Sequence, residues 1–128
     1  MTTMIAKTNE GDFDLQVLKK RLLSGSTVEL KVASDSMVPL LKVGEIVQVK
    51  KHHSIEELSH FDLIVFEQAN QLNIHFLSKI DLNNQLLVTR PLKRPDSNDY
   101  PIHPNQVLGI VPNKKLSLWQ KLRVLLVS

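Results

Sequence analysis

The chain has no cysteine among its 128 residues. That absence excludes disulfides, thiolate zinc sites, iron–sulfur clusters and cysteine nucleophiles together. It also fits a reducing compartment. Long apolar runs are missing too. The longest cover residues 63–66 and 124–127, where a membrane-spanning helix needs roughly 18 or more consecutive apolar residues. Residues 1–10 lack the apolar core of a secretory signal. A concentrated basic patch is also lacking. The net charge is only +3. Residues 65–128 hold 8 basic and 4 acidic side chains, against 8 and 9 in residues 1–64. This mild excess attracts anions but falls short of a nucleic-acid footprint. The expectation is a soluble, cytoplasmic protein without a nucleic-acid partner.

The composition is that of an ordinary globular chain, 42% hydrophobic and 23% charged. At this length one domain with a real core is expected. No internal repeat or linker interrupts it. Residues 1–11 read as a loose polar tail. A helix is expected over residues 12–24, capped by Asp12 or Asp14, with Leu15, Leu18 and Leu22 as its apolar stripe. Lys19, Lys20 and Arg21 suit its C-terminal end, and Gly25 suits a left-handed cap. A lone helix of this size excludes a helix-turn-helix reader.

From Thr27 the period changes to two. Val28, Leu30 and Val32 alternate with Glu29 and Lys31, as in a half-buried strand. Residues 34–39 break that strand. Further strands are expected at residues 46–50, 63–67, 72–77, 85–90 and 107–111. Ser54 followed by Glu57 fits a short capping box. A proline-rich loop fills residues 91–104. Residues 116–127 read as an amphipathic helix with Leu118, Trp119, Leu122, Leu125 and Leu126 on one face and Lys121 outside it. That face is expected to pack on the β unit. The second reading is peripheral membrane contact through the Trp119 helix, helped by Lys114, Lys115, Lys121 and Arg123. The fold class is therefore mainly β: a small barrel-like or sandwich unit of about six strands over residues 27–112, with a short helix at each end.

Ser36 lies where the first of these strands ends. On position alone it reads as a turn residue, since a serine hydroxyl needs a positioned base to act as nucleophile. The surrounding residues add a pattern. Ser34-Asp35-Ser36-Met37-Val38-Pro39, followed by Gly44-Glu45 and an alternating strand, resembles the nucleophile segment of the signal peptidase I and LexA-like serine peptidases. Phe61-Asp62-Leu63-Ile64-Val65-Phe66 is similar to the family's Gly-Asp-led strand, with Phe61 where glycine is usual. Ile74-His75-Phe76 is similar to the strand carrying the general base in the histidine branch, with Phe76 in place of arginine. Leu87-Val88-Thr89-Arg90 and Val107-Leu108-Gly109-Ile110-Val111 resemble the closing strands. Pro91-Leu92 stand where the family often has Gly-Asp.

The resemblance implies a serine endopeptidase without cofactor or metal, acting on a peptide or protein substrate. It assigns Ser36 as nucleophile, His75 as general base, and Asp99 or Asp96 as the group orienting His75. It implies Ser34 as an oxyanion donor beside the Ser36 backbone N–H. Met37 and Pro39, with Leu40 and Leu41, become apolar substrate walls, the alternative being core packing. Taken alone, His75 is a strand histidine pointing away from Ile74 and Phe76, with an intrinsic pKa suited to base work near neutrality. Lys79, on the same strand face in an unbroken strand, is the rival base. His52, His53, His60 and His103 form no metal-binding pattern. The competing reading is an inactive peptide-binding or protein-interaction module on the same fold.

Overall fold

A computed structural model of the chain describes residues 4–5, 15–52, 54–68 and 71–127. The helical stripe becomes α1, Leu15–Leu23, which turns Leu18 and Leu22 into the core. It stops as glycine allows. Gly25 takes φ +87°, its N–H reaches Leu22 O at 3.0 Å, and the Ser26 N–H reaches Arg21 O at 3.0 Å. This pair of bonds is a Schellman ending. The expected caps Asp12 and Asp14 lie outside the described residues.

The six strands sit where the alternation put them. Within the stretch expected to be a loose tail, Met4–Ile5 add a short strand, β1. It pairs with β2, Val28–Val32, and β2 pairs with β3, Ile46–Val49, all antiparallel. The second sheet is formed by β4, Leu63–Gln68, β5, Gln71–Asp81, β6, Leu86–Arg90, and β7, Val107–Ile110. Its strand order is β6-β5-β4-β7. The sheets do not close into a barrel. They are joined along a seam where Lys50 and Ile110 exchange backbone bonds of 2.9 and 2.8 Å. Gly109 makes the seam possible. A Cβ there would lie 2.5 Å from the Lys50 carbonyl oxygen and 2.8 Å from Val49 Cγ1.

The β4–β5 pair is buried on both faces, which explains its near-continuous apolar sequence. One face carries Leu63, Val65, Ile74 and Phe76 into the main core with β2, β3 and α1. The other carries Ile64, Phe66 and Leu77 into a second core, roofed by Ile55, Leu58 and Ile102. Burying each such side chain contributes roughly 1.5–3 kcal/mol. Ile55 and Leu58 come from a 3₁₀ turn, Ile55–Glu57, whose Ser54 makes no side-chain cap bond. A bulge in β5 between Leu77 and Lys79 shifts its register on β6. Because of that extra residue, Ile80 joins Leu77 on the second core while Lys79 turns outward and is exposed.

The last element, α2, Leu118–Val127, forms where expected but faces the other way. Val124 enters the main core. Lys121 lies over the Phe61 ring, 5.5 Å from its centroid. The leucine and tryptophan stripe points to solvent instead. Trp119 is 79% exposed and Leu126 85%. The stripe is therefore not the packing face, because Val124, opposite it, has taken that role.

Candidate active site

Ser36 is carried on the loop between β2 and β3. That loop is closed by bonds from the Val32 N–H to Glu45 O and from the Gly44 N–H to Val32 O, both 2.8 Å. It is anchored from beneath by Met37, 1% exposed, and Leu41 in the main core. Met37 and Leu41 thus pack the core rather than wall a substrate groove. Apolar side chains next to a buried sheet edge gain more by joining the core than by lining a polar cleft. Pro39 is exposed and Leu40 rests on the main core.

The proline-rich loop after β6 folds over this segment. The Lys93 N–H donates to Ser36 O at 2.8 Å, and the Leu92 N–H meets Met37 Sδ at 3.2 Å. Arg90 braces the far side through Asn98 and the Pro95 carbonyl. The loop then returns to β6, where the Asp99 N–H donates to Thr89 O at 2.9 Å. This return places the Asp99 carboxylate beside β5.

His75 stands on β5 opposite Ile64, on the face of the second core. It is 4% exposed and meets the Phe66 ring edge-on, with centroids 5.9 Å apart. Its Nδ1 is hydrogen-bonded to Asp99 Oδ2. The same oxygen accepts the Thr89 hydroxyl at 2.6 Å. Burial pushes the Asp99 carboxyl toward a higher pKa. The bond and charge of His75 and the Thr89 hydroxyl outweigh that and hold it below the usual carboxylate value.

Ser36, His75 and Asp99 line a single cavity of about 360 Å³, together with Asp35, Lys93 and Arg94. Asp35 and Lys93 form an exposed ion pair at its rim. The Lys93 ammonium, through that contact, keeps the Asp35 carboxyl below its ordinary value. Ser36 Oγ is buried and has no hydrogen-bond partner among the described residues. The Ser36 backbone N–H donates to Ser34 Oγ at 3.5 Å, which places the Ser34 hydroxyl beside the Ser36 amide.

Of the two aspartates, Asp99 reaches His75, whereas Asp96 is exposed. Lys79 is removed from the site by the β5 bulge, which reverses the face an unbroken strand would give it. Thr89, Lys93 and Arg94 had no assigned part in the sequence reading. Thr89 left a signal: a polar residue in the buried phase of β6, two positions from Leu87. Lys93 and Arg94 left none, because the loop carrying them has no period.

Among the described residues, no group of three His, Asp or Glu side chains converges to hold a metal. His53 lies outside them. A second cavity of about 250 Å³ opens between α1 and β7, lined by Leu22, Leu23, Lys51 and His52 among others. It holds no serine. No described helix is long and apolar enough to cross a membrane. No family profile matches the chain, and no curated protein or solved structure matches it either.

Proposed function

We propose that the chain is a serine endopeptidase of the signal peptidase-like type, acting on an extended peptide. Ser36 Oγ attacks the scissile carbonyl and passes its proton to His75. With Nδ1 engaged by Asp99, Nε2 is the ring nitrogen that takes this proton. Asp99 fixes the tautomer and stabilises the imidazolium. The tetrahedral oxyanion is met by Ser34 Oγ and the Ser36 N–H. His75 then returns the proton to the leaving amine, and water releases the acyl group from Ser36. The substrate backbone pairs along a strand edge beside Ser36. We assign this work to the cytoplasm, in keeping with a cysteine-free chain.

One observation carries the reading. Three residues 39 and 24 positions apart in sequence, Ser36, His75 and Asp99, line the same cavity, with the last two hydrogen-bonded. The backbone at Phe61 adds support. It takes φ +72°, a left-handed conformation that favours glycine, at the position where the resemblance expects one.

The test is cleavage of a mixed peptide pool read by mass spectrometry. Wild type yields new termini, while Ser36→Ala and His75→Ala yield none beyond background. Equal cleavage by wild type and Ser36→Ala refutes the mechanism. The second reading, a peptide-binding module without turnover, is favoured by one observation: Ser36 Oγ makes no hydrogen bond within the described residues. It predicts uncut peptide captured equally by wild type and Ser36→Ala.

A further inference from the structure

The geometry of α2 points to a second role: we propose that its exposed face docks on an anionic lipid surface. At about 100° per residue, Leu118, Trp119, Leu122, Leu125 and Leu126 fall within an arc of about 120°. All five are exposed, at 70, 79, 40, 63 and 85%. The opposite side of the helix is held by the domain through Val124 in the core, and Lys121, at one margin of the arc, lies over Phe61. A ten-residue helix thus turns its most apolar side outward, the reverse of what folding alone favours. Isolated exposed leucines need no explanation, but a contiguous apolar face with a tryptophan does.

Charge selects the occupant. No acidic residue follows Asp99 in the sequence. Lys114 is engaged by Glu45 at 2.7 Å. Lys115, just before α2, and Arg123, at the margin of the arc, are exposed. Apolar side chains flanked by cations match the acyl boundary and headgroups of an anionic bilayer. A second copy of the chain matches less well, since a two-fold contact would set Arg123 against Arg123 across an apolar patch. The proposal does not depend on the peptidase reading.

Trp119 is the only tryptophan in the chain, so its emission reports on this face directly. The full chain is titrated with vesicles of phosphatidylglycerol and phosphatidylcholine in equal parts, and with phosphatidylcholine alone. The expected result is a shift to shorter wavelength, with co-flotation, on the anionic vesicles. Leu122→Glu with Leu126→Glu lowers the bound fraction at least about tenfold. Arg123→Ala lowers it about fivefold. Both changes lie on exposed positions, and circular dichroism checks that the fold is kept. Brominated lipid quenches Trp119 in wild type, a readout that needs no variant. No shift and no quenching overturns the proposal. Equal binding to both vesicle types overturns it as well. So does a concentration-dependent shift without lipid, which would assign the face to a second copy.

Discussion

Replacing Asp99 by Ala tests how firmly the loop after β6 is tied to β5. The carboxylate serves two buried partners through one oxygen, His75 at 4% exposure and Thr89 at 0%. Removing it strands a ring nitrogen and a hydroxyl. Each stranded buried group costs about 1–3 kcal/mol. The Asp99 side chain is 25% exposed, so water entering its place recovers part of that. The expected loss is about 2–4 kcal/mol. Against a urea slope of roughly 2 kcal/mol per molar, the unfolding midpoint falls by about 1–2 M. Thr89→Val keeps shape and removes one donor, costing about 1 kcal/mol. The double variant should lose less than the sum of the two, because both changes break the same bond.

The pH dependence has a definite sign. The Asp99 carboxyl is held below its ordinary value in the folded chain, so the unfolded state binds more protons between the two values. The stabilisation is complete above the unfolded carboxyl pKa, about 3.9, and is lost as pH falls through the folded value. Asp99→Asn flattens that acid limb. The measurement is urea unfolding by circular dichroism from neutral pH to about pH 3. Unchanged midpoints for Asp99→Ala and Thr89→Val, with an acid limb identical to wild type, would refute the reasoning.

Three further outcomes follow from the same packing. Met37→Ala empties a site at 1% exposure and costs about 2–5 kcal/mol, read from the unfolding midpoint. Gly109→Ala forces a methyl against the Lys50 carbonyl at 2.5 Å; it costs about 3 kcal/mol and accelerates amide exchange at Lys50 and Ile110. Ser36→Ala deletes a buried hydroxyl without a hydrogen-bond partner among the described residues. Its unfolding midpoint should stay within about 0.5 kcal/mol of wild type or rise, since no bond is lost.

Alternation made the strands legible because each side of β2 meets a different medium. Val28, Leu30 and Val32 are buried, and Glu29 and Lys31 are exposed. The second core was not legible. Ile55, Leu87 and Ile102 come together through tertiary contacts that leave no local period. The β5 bulge shows how a single unpaired residue defeats face counting, since every residue beyond it swaps sides. Lys79 was misplaced for that reason alone. The α2 face was misjudged on a different ground. Amphipathicity says that one side is apolar, but which side the domain takes is decided by what lies beneath, and here Val124 and Lys121 fit against the main core and Phe61. Ser36 and His75 could be singled out along the chain, while only the fold shows that Asp99 and not Asp96 bonds His75, because the loop returns to Thr89 at that residue.

The loop after β6 is clasped at both ends, by Lys93 to the Ser36 carbonyl and by Asp99 to Thr89. It therefore works as a strap across two parts of the site that the main core already holds together. The Ser36 loop rides on one sheet and His75 on the other, and the five residues between the clasps span the interval. Because Met37 and Leu41 on one side and Ile74 and Phe76 on the other share the main core, adding or deleting one residue there would break a clasp before it moved the hydroxyl or the imidazole. Loop length is thus the dependent quantity, matched to an interval that the core has already set.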